Sequence, residues 1–153
     1  MFVLLRQLAE IRREAHLSRG RPRWRALRHV DAGSCNGCEH ELGAVANPFH
    51  DLQRHGLDIV ASPRHADILL VTGPVTTRMA GPLLTAYQAM PEPRLVAALG
   101  DCALGCNILG DPDELVGALA DVLPVDIRIP GCPPTPAVIA EHLHAACDRR
   151  LDP

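Results

Sequence analysis

With 153 residues, 47% of them hydrophobic, and a mean hydropathy of +0.05, the chain has material for one globular domain with a real core and too little for two comfortable ones. Its net charge of −3 is uneven: residues 1–30 carry eight arginines against two acids (+6), and the rest carries seven arginines against sixteen acids (−9). A basic arm on an acidic body suits a partner protein or an anionic membrane surface, and no feature suits a nucleic acid. FVLLRQLAEIRREAHL (2–17) reads as an amphipathic helix, with Leu4, Leu8 and Ile11 on one face and arginines opposite. Its apolar start, FVLL, is far short of a signal-peptide core or a membrane span. SRGRPRWR then breaks the pattern at Gly20 and Pro22, so residues 1–24 are expected to be a basic amphipathic helix and linker, and residues 25–153 the folded domain.

From residue 25 onward, short apolar runs alternate with helix candidates. The strand candidates are 25–30, 57–62, 66–73, 95–100 and 125–131, and the helix candidates are about 39–56, 74–90, 103–122 and 135–149. Asp111, Pro112 and Glu114 resemble a capping box with proline at the first helical position, and Thr135–Pro136 repeats the device. Alternation of continuous apolar strands with helices predicts an α/β domain, a doubly wound, mostly parallel sheet of flavodoxin type. No phosphate-binding glycine loop of the G-x-x-x-x-G-K-[ST] or G-x-G-x-x-G kind is present, which leaves nucleotide binding without support.

Six cysteines in a chain with no visible export signal point to reduced thiols and to metal or redox chemistry rather than a disulfide framework. Cys35 and Cys38, in DAGSCNGCEHEL, follow the first strand candidate. Cys102, in GDCALGC, follows LVAALG, and Cys132, in PGCPPTP, follows VDIRIPG. Ligands of open parallel sheets bind outside the carboxyl ends of the strands, so three strand-end loops bring four cysteines to one edge. One close pair plus two distant singles suits a cuboidal iron–sulfur cluster better than the paired knuckles of structural zinc. Spacing alone still leaves open a zinc site, or unconnected core and redox thiols.

CNGCEHE (35–41), SPRHADILLVTGPVT (62–76), GDCA (100–103) and IPGCPPTP (129–136) resemble the small, electron-transferring subunit of group 4 membrane-bound nickel–iron hydrogenases, the formate hydrogenlyase type. The same superfamily holds the B-type (20 kDa) subunit of complex I. The resemblance spans about residues 25–145. It implies that Cys35, Cys38, Cys102 and Cys132 bind one 4Fe–4S cluster, and that electrons pass to or from a nickel–iron-type large subunit. It also implies a ferredoxin-like iron–sulfur subunit and membrane-embedded subunits as partners, with the chain peripheral on the cytoplasmic face of the cell membrane. The complex I subunit carries two adjacent cysteines where this chain has CxxC, which favours the hydrogenase form. A complex I-like quinone-reducing subunit is the alternative within the superfamily, and a zinc-bound scaffold module the alternative of another class.

The chain itself shows no nucleophile or acid–base pair for substrate chemistry, so no catalytic residue is expected beyond Glu41. Glu41 matches an acidic residue the family places beside the CxxC pair; it suits proton transfer, or equally a first-turn carboxylate. Glu39 reads as an ordinary first-turn acid. Cys106 stands where the family usually has glycine and reads as a spare, non-ligating thiol; Cys147 reads as a core thiol of the last helix. Arg64 and His65 belong to a family-like stretch and suit the cluster or partner surface. His40, His50, His55, His142 and His144 show no paired ligand spacing, and the stripe Met79, Leu83, Leu84, Tyr87, Met90 reads as core.

Overall fold

A computed structural model describes residues 25–106 and 110–147; the expected amino-terminal helix and linker, and the Cys147 side chain, lie outside what is described. Five parallel strands form the main sheet: β1 (Arg25–Asp31), β2 (Leu57–Ile59), β3 (Ile68–Thr72), β5 (Leu95–Leu99) and β7 (Ile127–Ile129). Their order, β2-β1-β3-β5-β7, is the flavodoxin-like winding, whose switch point falls between β1 and β3. The short strands β4 (Val75–Thr76) and β6 (Leu115–Gly117) pair antiparallel beside it.

Strands β3 and β5 are almost wholly apolar because both sheet faces are covered there. Every residue of β3, ILLVT, is buried, and its side chains alternate between two cores. Ile68 and Leu70 join Leu27, Leu99 and Ile129 under α1 (Gly37–Ala44) and α3 (Pro136–Cys147), which contribute Leu42, Ile139 and Leu143. Leu69 and Val71 join Val96 and Ala98 on the other face, under α2 (Thr77–Ala89), which contributes Leu83. The 79–90 stripe is core as expected, apart from Leu84, which is 37% exposed.

Two helix expectations need correction. The 39–56 candidate is helical only over Gly37–Ala44; the Asn47 side chain then accepts from the Phe49 and His50 amides in a turn around Pro48, and a single 3-10 turn follows at Leu52–His55. The 103–122 candidate is not an α-helix in any described part. Asp111 caps as its sequence suggests, accepting from the Asp113 amide, but only one 3-10 turn (Pro112–Glu114) forms before β6 pairs with β4. Gly105, Gly110 and Gly117 all take positive φ in this stretch, so tertiary pairing overrides a local start signal. The expected helix is replaced by an irregular cover, and Ala103, Leu119 and Leu123 still plug the second core. By contrast, α3 begins at Pro136 as its sequence predicts, with the Ile139 amide donating to the Thr135 carbonyl.

Candidate metal centre

The sheet delivers its chemistry at one edge. The chain leaves β1 at Asp31, whose carboxylate accepts from the Gly33 amide (2.8 Å) and the Ser34 amide (2.7 Å), turning the loop that carries Cys35. Cys38 follows in the first turn of α1; Cys102 lies three residues past β5, and Cys132 three past β7. These four thiols line a single cavity of about 150 Å³ at the carboxyl ends of the strands. Cys35 and Cys132 are exposed, and Cys38 and Cys102 partly buried.

The thiols feel one another. Burial first, then the charges of Glu39, Cys102, Cys35 and Cys132, push the Cys38 thiol up to about 12. Burial likewise raises Cys102, followed by the charges of Cys132, Cys35 and Asp101. Crowded, half-desolvated thiols of this kind are costly to ionise alone, and a bound cationic centre reverses that balance.

Glycine makes the close packing feasible. Gly100 has φ +91°, and a Cβ there would sit 2.6 Å from Cys38 Sγ. Cys106 does not line the cavity; it is exposed, with its amide bonded to the Asp101 carbonyl (2.9 Å). Glu41 is half-buried on α1 and also outside the cavity wall. Arg64 and His65 lie in the turn leading into β3, at the sheet edge opposite the thiols, and so do not line the site.

A polar triad beneath the loop is not readable from sequence spacing. Thr72 Oγ1 donates to Glu39 Oε1, and with its proton so committed it accepts from His29 Nε2–H at 2.9 Å. His29 and Glu39 are 3.6 Å apart, and burial lowers the His29 pKa against the pull of Glu39 and Asp31. Thr72 is fully buried, so its hydroxyl requires these partners. Glu39 is therefore not an ordinary surface acid: it straps α1, and with it Cys38, to the ends of β1 and β3. The only sequence hint was a threonine ending an otherwise apolar strand.

Among the described residues, no three His, Cys, Asp or Glu side chains converge tightly enough to hold one metal ion. The four thiols nevertheless line one cavity, an all-sulfur donor set that fits a thiolate-bound metal group. The cavity is also smaller than the roughly 300–1,000 Å³ typical of sites for organic ligands.

Fold and site together define a flavodoxin-like α/β domain with a thiol-lined cavity at its switch point. The chain belongs to the family of the NADH ubiquinone oxidoreductase 20 kDa subunit, whose model matches residues 35–146. It is 41% identical over 130 residues to the probable membrane-bound hydrogenase subunit mbhJ of Pyrococcus furiosus, covering 85% of this chain and 77% of that protein. It is 44% identical over 130 residues to formate hydrogenlyase subunit 7 of Escherichia coli, there spanning 47% of the relative's length. The B-type subunit of NADH-quinone oxidoreductase from Citrifermentans bemidjiense is 41% identical over 102 residues, 67% of this chain and 59% of that protein. A solved archaeal respiratory complex, the membrane-bound sulfane sulfur reductase, contains a chain that superposes with a TM-score of 0.71 at 27% identity, over 86% of this chain and 73% of that one. These relatives are subunits of oxidoreductase complexes, and the chain is a redox-complex subunit of that kind. No helix among the described residues is long and apolar enough to cross a membrane.

Proposed function

We propose that this chain is the electron-transfer subunit of a membrane-bound nickel–iron hydrogenase complex of formate hydrogenlyase type, and that Cys35, Cys38, Cys102 and Cys132 hold one 4Fe–4S cluster. The observation that carries the reading is the four-thiol cavity at the switch point, built by three loops with one thiol pair and two singles. A 4Fe–4S cluster supplies a one-electron relay, with a potential set by burial, local charge and hydrogen bonds to sulfur. The chain's own residues hold and shield it: the Glu39–Thr72–His29 strap fixes the Cys38 helix, and Gly100 lets that thiol approach the β5 end.

The CxxC spacing favours the hydrogenase reading over a complex I-like quinone-reducing subunit, and chemistry at the substrate falls to the large subunit. The basic arm at 1–24 and the +6 charge of residues 1–30 suit docking on a membrane-embedded subunit or anionic lipid at the cytoplasmic face. Anaerobic purification with iron and acid-labile sulfide analysis tests the assignment. About four of each per chain, with a brown colour and broad visible absorbance, is expected; one zinc without sulfide would end it. A co-purifying large subunit with two CxxC pairs would support the hydrogenase form.

A further inference from the structure

One carboxylate stands in the cavity wall without being a candidate ligand. Asp101 lies between the end of β5 and Cys102 and lines the same space as the four thiols. Past the last strand residues the β5–β7 ladder continues: Gly100 N–H donates to the Ile129 carbonyl (2.8 Å) and Asp101 N–H to the Gly131 carbonyl (2.9 Å). The return bond comes from a side chain, because Gly131 N–H donates to Asp101 Oδ1 at 2.8 Å. This reciprocal pair ties the loop bearing Cys102 to the loop bearing Cys132.

A clamp needs only an acceptor at that position. Asparagine, whose side-chain oxygen occupies the same place, would satisfy the Gly131 amide equally well. A carboxylate adds a full negative charge beside a partly desolvated site, where charge–charge interactions are far stronger than in water. Its field reaches the sulfurs, because Asp101 lines the same small cavity as Cys35, Cys38, Cys102 and Cys132 and directly precedes Cys102 in the chain.

We propose that Asp101 is a positioning and tuning residue: its Oδ1 clamps the Cys102 and Cys132 loops, and its charge holds the potential of the centre low. The inference rests on the 4Fe–4S reading above. One electron arrives from a partner iron–sulfur protein and none leaves, so the total charge of cluster and thiolates becomes more negative by one. That added charge meets the Asp101 carboxylate, and the reduced state is disfavoured. A site so biased matches low-potential one-electron partners.

The test is a potentiometric titration, followed by electron paramagnetic resonance, of the full-length chain in its complex, with wild type beside Asp101→Asn. The variant keeps an oxygen acceptor for the Gly131 amide and loses the charge. The expected result is a full iron and sulfide content with the reduction equilibrium moved about tenfold toward the reduced state, about 59 mV for a one-electron couple. An unchanged potential in a variant that holds its cluster overturns the tuning role. Loss of iron from Asp101→Asn overturns it as well, since that variant keeps the clamp's acceptor and the carboxylate would then be needed to hold the cluster at all. Wild type without iron and sulfide overturns the cluster reading itself, and is seen before any variant is compared.

Discussion

Replacing Gly100 by alanine tests whether the thiol cage depends on backbone approach. At φ +91° an L-residue gives up about 1–2 kcal/mol relative to glycine. The new Cβ would stand 2.6 Å from Cys38 Sγ, where ordinary contact begins at 3.4 Å. Backbone lies on the strand side, with the Gly131 carbonyl at 3.4 Å, so the thiol has to swing away. Driving Cys38 off its rotamer adds about 0.5–1.5 kcal/mol. The sum is about 1.5–3.5 kcal/mol, and the displaced group is a proposed ligand. Urea unfolding of the isolated chain should read that loss, and iron analysis of the anaerobically purified protein should show depleted cluster. Gly43→Ala and Gly81→Ala are the controls: both lie in helices with nothing within 4 Å of an added Cβ. Each should stabilise by about 0.5–1 kcal/mol. A Gly100→Ala protein as stable as wild type, with full iron, would refute the reasoning.

Cys102→Ser should lose or severely destabilise the cluster, while Cys106→Gly should keep it, since Cys106 lies exposed outside the cavity; spectra of the reduced variants showing the reverse would exchange their roles. Thr72→Val should cost about 1–3 kcal/mol in denaturant unfolding by stranding Glu39 and His29, whereas Thr72→Ser, which keeps the hydroxyl, should stay close to wild type. Deleting residues 2–20 should leave iron content intact and loosen membrane association, each arginine near an anionic surface being worth about 1 kcal/mol; a truncated protein that fractionates wholly with membranes would show that the arm is not the anchor.

Local pattern carried far where side chains alternate against two covered faces. The short runs at 25–30, 95–100 and 125–131 announced parallel strands, and their carboxyl ends foretold which edge gathers Cys35, Cys38, Cys102 and Cys132. Pro136 likewise marked its own helix start. Pattern failed at 103–122, where Asp111 and Pro112 form a sound start signal with no helix behind it. A cap stabilises only the turn it touches, and β6 gains more from pairing with β4.

By itself, then, the sequence determined the strand–helix alternation, the sheet edge of the thiols and their 2+1+1 grouping, because these follow from periodicity and from the order of residues along the chain. Tertiary structure alone decided that Glu39 turns inward to Thr72 and His29, with Thr72 lying 33 positions from Glu39 and 43 from His29. It alone decided that Asp101 returns a hydrogen bond to Gly131, 30 positions away. Such bonds join loops and strands that neighbour each other only after the sheet is wound, and no local spacing encodes which distant group will arrive to satisfy a buried donor.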